Sequence, residues 1–210
     1  MSRSPAFTST PATTSEPERP GGQELLLYTV GHGTMAGEAF AAMVVTAGIG
    51  SLVDVRSVPA SRRNPQFGRE ALSDRLHAVG VTYRWEPRLG GFRRPVPGSP
   101  NDALRHASFR AYADYMATAE FRAALDELLD GAARSPTAVL CAETLWWRCH
   151  RRLLADAAVI LGGAQVRHLG HDGRLTDHRL TPGVRPDASS GLVYALGSGE
   201  AAGIEGDPPG

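Results

Sequence analysis

From residue 25 to residue 169 the chain alternates short, wholly apolar runs with longer stretches in which apolar residues return every three or four positions. A continuous apolar run bounded by glycine or polar residues fits a strand buried on both faces, and the three-to-four spacing fits a helix with one buried stripe. The pattern predicts strands over 25–30, 52–55, 81–85, 137–141 and 166–169. It predicts helices over 35–47, with Phe40, Met43 and Val44 on one face, over 69–79 and over 147–161, and one or two helices over 109–129. Strands alternating with helices imply one α/β domain, a mostly parallel Rossmann-like sheet flanked by helices on both faces. In such a sheet ligands bind outside the carboxyl ends of the strands. The domain is expected over 24–185. Residues 1–23 and 186–210, rich in Ser, Thr, Pro and Gly, are expected to be flexible tails, because they hold too little apolar surface to offset the entropy of ordering them.

Composition narrows the chemistry. All 22 basic residues are arginine, so Schiff-base chemistry on lysine and the lysine-bearing phosphate loop are excluded. No apolar stretch reaches the length of a membrane span and the N-terminus lacks a secretory core, which points to a cytoplasmic protein without membrane contact. Net charge is zero, so only clustered arginine is informative. Nine arginines stand against four acids between Asp54 and Arg94, and that local excess points to an anionic ligand.

The residues able to carry chemistry fall at the predicted carboxyl ends. Gly31-His32-Gly33-Thr34 follows the first strand, where Thr34 could cap the next helix and the turn could receive an anion beside His32. The second strand runs into Asp54-Val55-Arg56 and a polar loop holding Arg62 and Arg63. Arg56 and Arg62 are candidate anion binders, since a guanidinium meets phosphate or carboxylate with paired hydrogen bonds; the alternative for Arg56 is a structural carboxylate partner. Asp54, pointing opposite to its apolar neighbours, either orients Arg56 or a histidine or serves as a base. The segment from Cys141 to Arg152 is the densest constellation. Cys141 is a candidate nucleophile at a strand-to-helix turn where arginine and a helix N-terminus stabilise thiolate, or else a packed thiol. Glu143 is expected to face the same crevice as Cys141 and Asp54. His150 is either a core residue or a proton carrier helped by Glu143 or Cys149, and Arg151 is a further anion binder. No metal or other cofactor is expected: the spacing of Cys141, Cys149 and His150 matches no familiar paired-ligand pattern, and neighbours on a helix diverge. His178 either reaches back to the site or lies at the surface, and the surface is the expectation.

Val30-Gly31-His32-Gly33-Thr34, the run from Val53 through Pro59 to Phe67, Leu89-Gly90-Gly91, Cys141-Ala142-Glu143, Cys149-His150-Arg151 and the run from His178 to Pro182, taken in order, resemble the bacterial domain-of-unknown-function family numbered 488. Gly33 departs from the serine that members often carry. The resemblance implies an α/β fold and supplies no activity, so function rests on the site. The residues point to an enzyme, a hydrolase or thiol-dependent transferase, acting on a small nucleotide-like or phosphorylated anion. Sulfur transfer of the rhodanese kind is one form, although Trp146 and Trp147 are bulky for a narrow phosphate cradle. The alternatives are a nucleic-acid-binding accessory protein and a partner-binding module without chemistry. Nothing in the sequence sets the oligomeric state.

Overall fold

A computed structural model describes residues 25–60 and 62–196. Five strands, β1 (Leu26–Gly31), β2 (Ser51–Asp54), β3 (Thr82–Trp85), β4 (Thr137–Cys141) and β5 (Gln165–Leu169), run parallel in the spatial order β3-β2-β4-β1-β5. A short antiparallel strand, β6 (Leu175–Asp177), completes the sheet beside β5. Helices α1 (Gly37–Thr46) and α2 (Arg69–Ala78) cover one face; α3 (Ala107–Met116), α4 (Ala119–Arg134) and α5 (Arg151–Ile160) cover the other. The expected single α/β domain with a mostly parallel sheet is what forms.

Alternation along the strands divides the core in two. Leu52, Ala138, Leu140, Val30 and Leu169 pack with Phe40, Val44, Leu72 and Leu76 of α1 and α2. Leu27, Val53, Val139 and Val166 pack with Tyr112, Phe121, Leu125, Leu128, Leu153 and Leu154 of α3 to α5. The stretch expected to hold one or two helices holds two, because Thr118 ends the first and its hydroxyl caps the second by accepting the N–H of Phe121.

The crossovers place the site. The chain moves outward from β1 to β2 and β3 with helices on one face, then returns to β4 and moves to β5 with helices on the other. The neighbours β1 and β4 therefore send their following helices to opposite faces, and their carboxyl ends form the point where such sheets open a ligand crevice.

Three local expectations are corrected. Thr34 caps nothing: α1 begins at Gly37 after an extended Ala36, and Thr34 is exposed. The helix expected from 147 begins at Arg151, because residues Trp146–Arg148 form a separate 3₁₀ turn and Cys149 is extended. The ordered chain also continues past the expected boundary at 185, through β7 (Val184–Asp187) and β8 (Gly191–Tyr194), an antiparallel hairpin with Leu192 and Tyr194 in the α3–α5 core. The N-terminal tail expected over 1–23, and everything after 196, lie outside the described residues. No helix among those described is long and apolar enough to cross a membrane.

A buried hydrogen-bond chain ties that hairpin to the sheet. Asp156 of α5 is fully buried and needs donors. It has Tyr194 Oη at 3.0 Å, the Thr181 N–H at 2.9 Å and His178 Nε2 at 2.9 Å. With Nε2 of His178 donating, its Nδ1 accepts from His168 Nε2 at 3.0 Å, and His168 Nδ1 accepts from the Thr29 hydroxyl at 2.6 Å. Every ring is satisfied while neutral. His178, expected at the surface, is thus an interior link.

Burial, with His178 and Arg151 nearby, lowers His168 from the ordinary 6.5 to about 2. The unfolded chain therefore takes up this proton first as pH falls, and the folded state loses stability on the acid side of about 6.5. Urea midpoints are expected to drop between pH 7.5 and pH 5, with about 2 kcal/mol of the loss due to His168. A His168→Gln variant, less stable at neutral pH, is expected to show a correspondingly shallower pH dependence in the same titration.

Candidate functional site

Two clusters flank the β1–β4 carboxyl end, one on each face of the sheet. On the α1–α2 face, Asp54 is fully buried and accepts from Arg56 through Nε at 2.8 Å and Nη2 at 2.5 Å, from the Arg56 N–H at 3.1 Å and from Tyr83 Oη at 2.7 Å. Nη1 of Arg56 lies 3.2 Å from Nε2 of His32, whose Nδ1 lies 2.8 Å from the Gly33 carbonyl. His32 is stacked on Phe67 at 4.1 Å. Burial pulls its pKa to about 4, and Arg56 adds to that against the opposing Gly33 contact, so the ring is neutral near neutral pH. Burial alone would weaken the charge of Arg56, but the hydrogen bonds and charge of Asp54 outweigh it and raise its pKa. Asp54 thus orients Arg56, and Arg56 is held by a carboxylate.

On the opposite face, Cys141 ends β4, and Cys149 and His150 precede α5. Nδ1 of His150 lies 3.8 Å from the Cys141 sulfur and 3.6 Å from the Cys149 sulfur. These three atoms all lie within 4.8 Å of one another. Neighbouring residues on a helix would diverge, but Cys149 is extended (φ −117°, ψ 152°) and His150 is the first residue to turn helical, which brings their side chains together.

Arg151 lies beneath this cluster, 1% exposed. Its Nε donates toward the Cys149 sulfur at 3.4 Å, and its Nη2 donates to the Glu143 carbonyl and lies 3.5 Å from that of Thr144. The hydrogen bond between the sulfurs, reinforced by burial, raises the Cys141 thiol; the same bond from Cys141, helped by His150 and Arg151 against burial, lowers Cys149. Of the two thiols, Cys149, beside the guanidinium, is the one whose ionisation these surroundings favour. The close approach depends on Gly31, where a Cβ would collide with the Glu143 carbonyl and lie 2.8 Å from Nη2 of Arg151.

The predicted residues therefore divide. Cys141, His150 and Arg151 come together with Cys149, and Asp54, Arg56 and His32 come together across the sheet. The expectation that Asp54 shares a crevice with Cys141 is corrected, since paired Leu140 and Asp54 face α1 and α2 while Cys141, one residue on, faces α3 to α5. Glu143 contributes its carbonyl, while its exposed carboxylate lies 3.5 Å from the Leu145 N–H. Arg62 is exposed on the loop after β2. Trp146 stacks on His168 at 3.9 Å. Cys149 and Tyr83 were not expected among the main site residues; the adjacent Cys-His pair was the signal for the first, and nothing in the local pattern marked the second.

Much of the local arginine excess is neutralised. Glu86 and Glu127 hold Arg88, and Glu86 also holds Arg84, while Arg93 lies over the Tyr115 ring and donates to the Pro87 and Arg88 carbonyls. Arg62, Arg63 and Arg94 remain exposed on two loops that touch where the Phe92 N–H donates to Ser57 Oγ at 3.2 Å. Gly91 of the second loop packs against His150. An open cavity of about 620 Å³ lies away from the sulfurs, over Tyr83 and Trp85 between α2 and β3.

Replacing Arg56 with methionine leaves Asp54 buried with one charged partner gone, and such a break costs about 3–5 kcal/mol. Chemical denaturation of Arg56→Met is expected to show that loss, and Asp54→Asn together with Arg56→Met is expected to recover part of it.

No curated protein and no solved structure matches the chain. A family model, that of the domain of unknown function DUF488, matches residues 37–158. That span is more than half of the chain and runs from the first residue of α1 into α5, taking in Asp54, Arg56, the Gly90-Gly91 loop and the whole Cys141–Arg151 segment. The chain belongs to this family.

Proposed function

We propose that this protein is an enzyme acting on a small anionic molecule, with Cys141, Cys149 and His150 as its chemical centre and Arg151 as the fixed positive charge beneath it. The observation that carries this reading is the convergence of two sulfurs and an imidazole nitrogen on a buried guanidinium at the strand ends where the topology opens a crevice. A structural role alone would not need three reactive side chains there. Cys141 and His150 are half-buried, which leaves a way in for a substrate.

The anionic substrate class follows from charge. Arg56 and Arg151 are occupied by protein partners. Arg94 is exposed on the loop whose Gly91 borders His150, and Arg62 and Arg63 are exposed on the loop that touches it through Ser57; together they supply the outer positive field that draws an anion toward the centre. The centre is suited either to hydrolysis or to thiol-dependent transfer.

A thermal-shift series with phosphate, thiosulfate, mononucleotides and short oligonucleotides tests this reading. Arg56 is a poor probe, because its loss destabilises the fold directly. Wild-type protein is expected to be stabilised by at least one small anion, and Arg62→Ala to lose most of that shift at unchanged melting temperature without ligand. Stabilisation by oligonucleotides alone, falling steeply with added salt, would instead favour a nucleic-acid-binding protein and overturn the enzyme.

A further inference from the structure

The sulfur–imidazole cluster has the geometry of a metal-ion cage. A tetrahedral ion with bonds of about 2.3 Å to sulfur and about 2.0–2.1 Å to imidazole nitrogen sets its ligand atoms about 3.6 Å apart for sulfur–nitrogen pairs and about 3.8 Å for sulfur–sulfur pairs. The observed separations from His150 Nδ1 are 3.6 Å to Cys149 and 3.8 Å to Cys141. A ring nitrogen carries at most one proton and can donate to only one of the two sulfurs at a time. Its near-equal approach to both is what a cation between the three atoms would impose.

The ring of His150 packs against Tyr112 with centroids 5.1 Å apart, and its polar contacts are made through Nδ1, toward the sulfurs; its Nε2, buried without a hydrogen-bond partner, lacks the outer partner that a metal-bound imidazole usually has. Nε of Arg151 donates to the Cys149 sulfur from outside the trio, as outer partners of thiolate ligands do. The donors are two sulfurs and one imidazole, which suit a borderline-soft divalent ion of the zinc class and not calcium or magnesium, which take oxygen.

We infer that Cys141, Cys149 and His150 form a three-ligand site for a zinc-class divalent cation. Three protein donors leave a tetrahedral ion one position, to be filled by water or by an oxygen of an anionic substrate. Cys141 and His150 are half-buried, and Gly91 packs directly on the His150 ring. This deepens the enzyme reading and rests on it only for the role of the open position. With both sulfurs held as ligands neither is free to attack, and hydrolysis is favoured over sulfur transfer.

The test is cobalt(II) titration of metal-stripped, reduced full-length protein, with metal analysis of the protein as purified. One zinc-class ion per chain is expected after purification, and one equivalent of cobalt is expected to give a sulfur-to-cobalt charge-transfer band with tetrahedral d–d absorption. Cys141→Ser, Cys149→Ser and His150→Gln, each checked for folding by circular dichroism, are expected to weaken cobalt binding by more than the roughly 100-fold that outer-shell changes reach. Arg62→Ala is expected to keep the full cobalt spectrum. Absence of a sulfur–cobalt band in folded wild type, or its persistence in the Cys141→Ser, Cys149→Ser double variant, overturns the site. Anion-induced stabilisation without the band would remove the metal and leave the enzyme reading standing. The band without any response to anions would do the reverse.

Discussion

The crevice is organised by one buried positive charge. Arg151 lies at the start of α5 with almost no exposure, where an uncompensated guanidinium would be prohibitively costly. Two carbonyls of the β4–α5 connection and the Cys149 sulfur provide the compensation. That requirement folds the connection over the end of β1, and Gly31 is the residue that leaves room for it. The path of the chain from Cys141 to His150, which gathers the two sulfurs, follows from keeping this guanidinium satisfied.

Asp54 repeats the logic on the other face with the signs reversed. There a buried carboxylate is compensated by Arg56 and Tyr83, and His32 stays neutral beside Arg56. The clusters are close enough to influence one another: Arg151 adds to the neutrality of His32. Their backbones also join directly, with the His32 N–H donating to the Cys141 carbonyl at 3.1 Å and that of Gly33 to Ala142 at 3.0 Å. The sulfurs therefore lie beside a paired electrostatic frame.

The strand and helix rhythm was legible in the chain because apolar runs and three-to-four spacing are local properties; 137–141 was read to the residue, and the other parallel strands to within one or two. The C-terminal hairpin was not, since β7 is Val-Arg-Pro-Asp and has no apolar pattern; the fate of that segment depends on Tyr194 meeting Asp156, 38 positions away. The site was half legible. Residue types at strand ends marked Cys141, His150, Arg151, Asp54 and Arg56, but which face each occupies depends on strand register. The meeting of Cys149 with His150 depends on a backbone that enters the helix at Arg151, four residues later than periodicity suggests.

The match to the family ends at residue 158, inside α5, and begins after β1. The strand left out at its start is the one on which β4 and β5 both pair, and the segment left out at its end supplies His168, His178 and Tyr194, which satisfy Asp156 within the match. The matched stretch and what can stand alone in water are thus different lengths of polypeptide. A fragment cut to residues 37–158 would carry every sulfur, imidazole and guanidinium of the centre, yet expose an unpaired β4 edge and an orphaned carboxylate. For this chain, cohesion needs more polypeptide than the match spans.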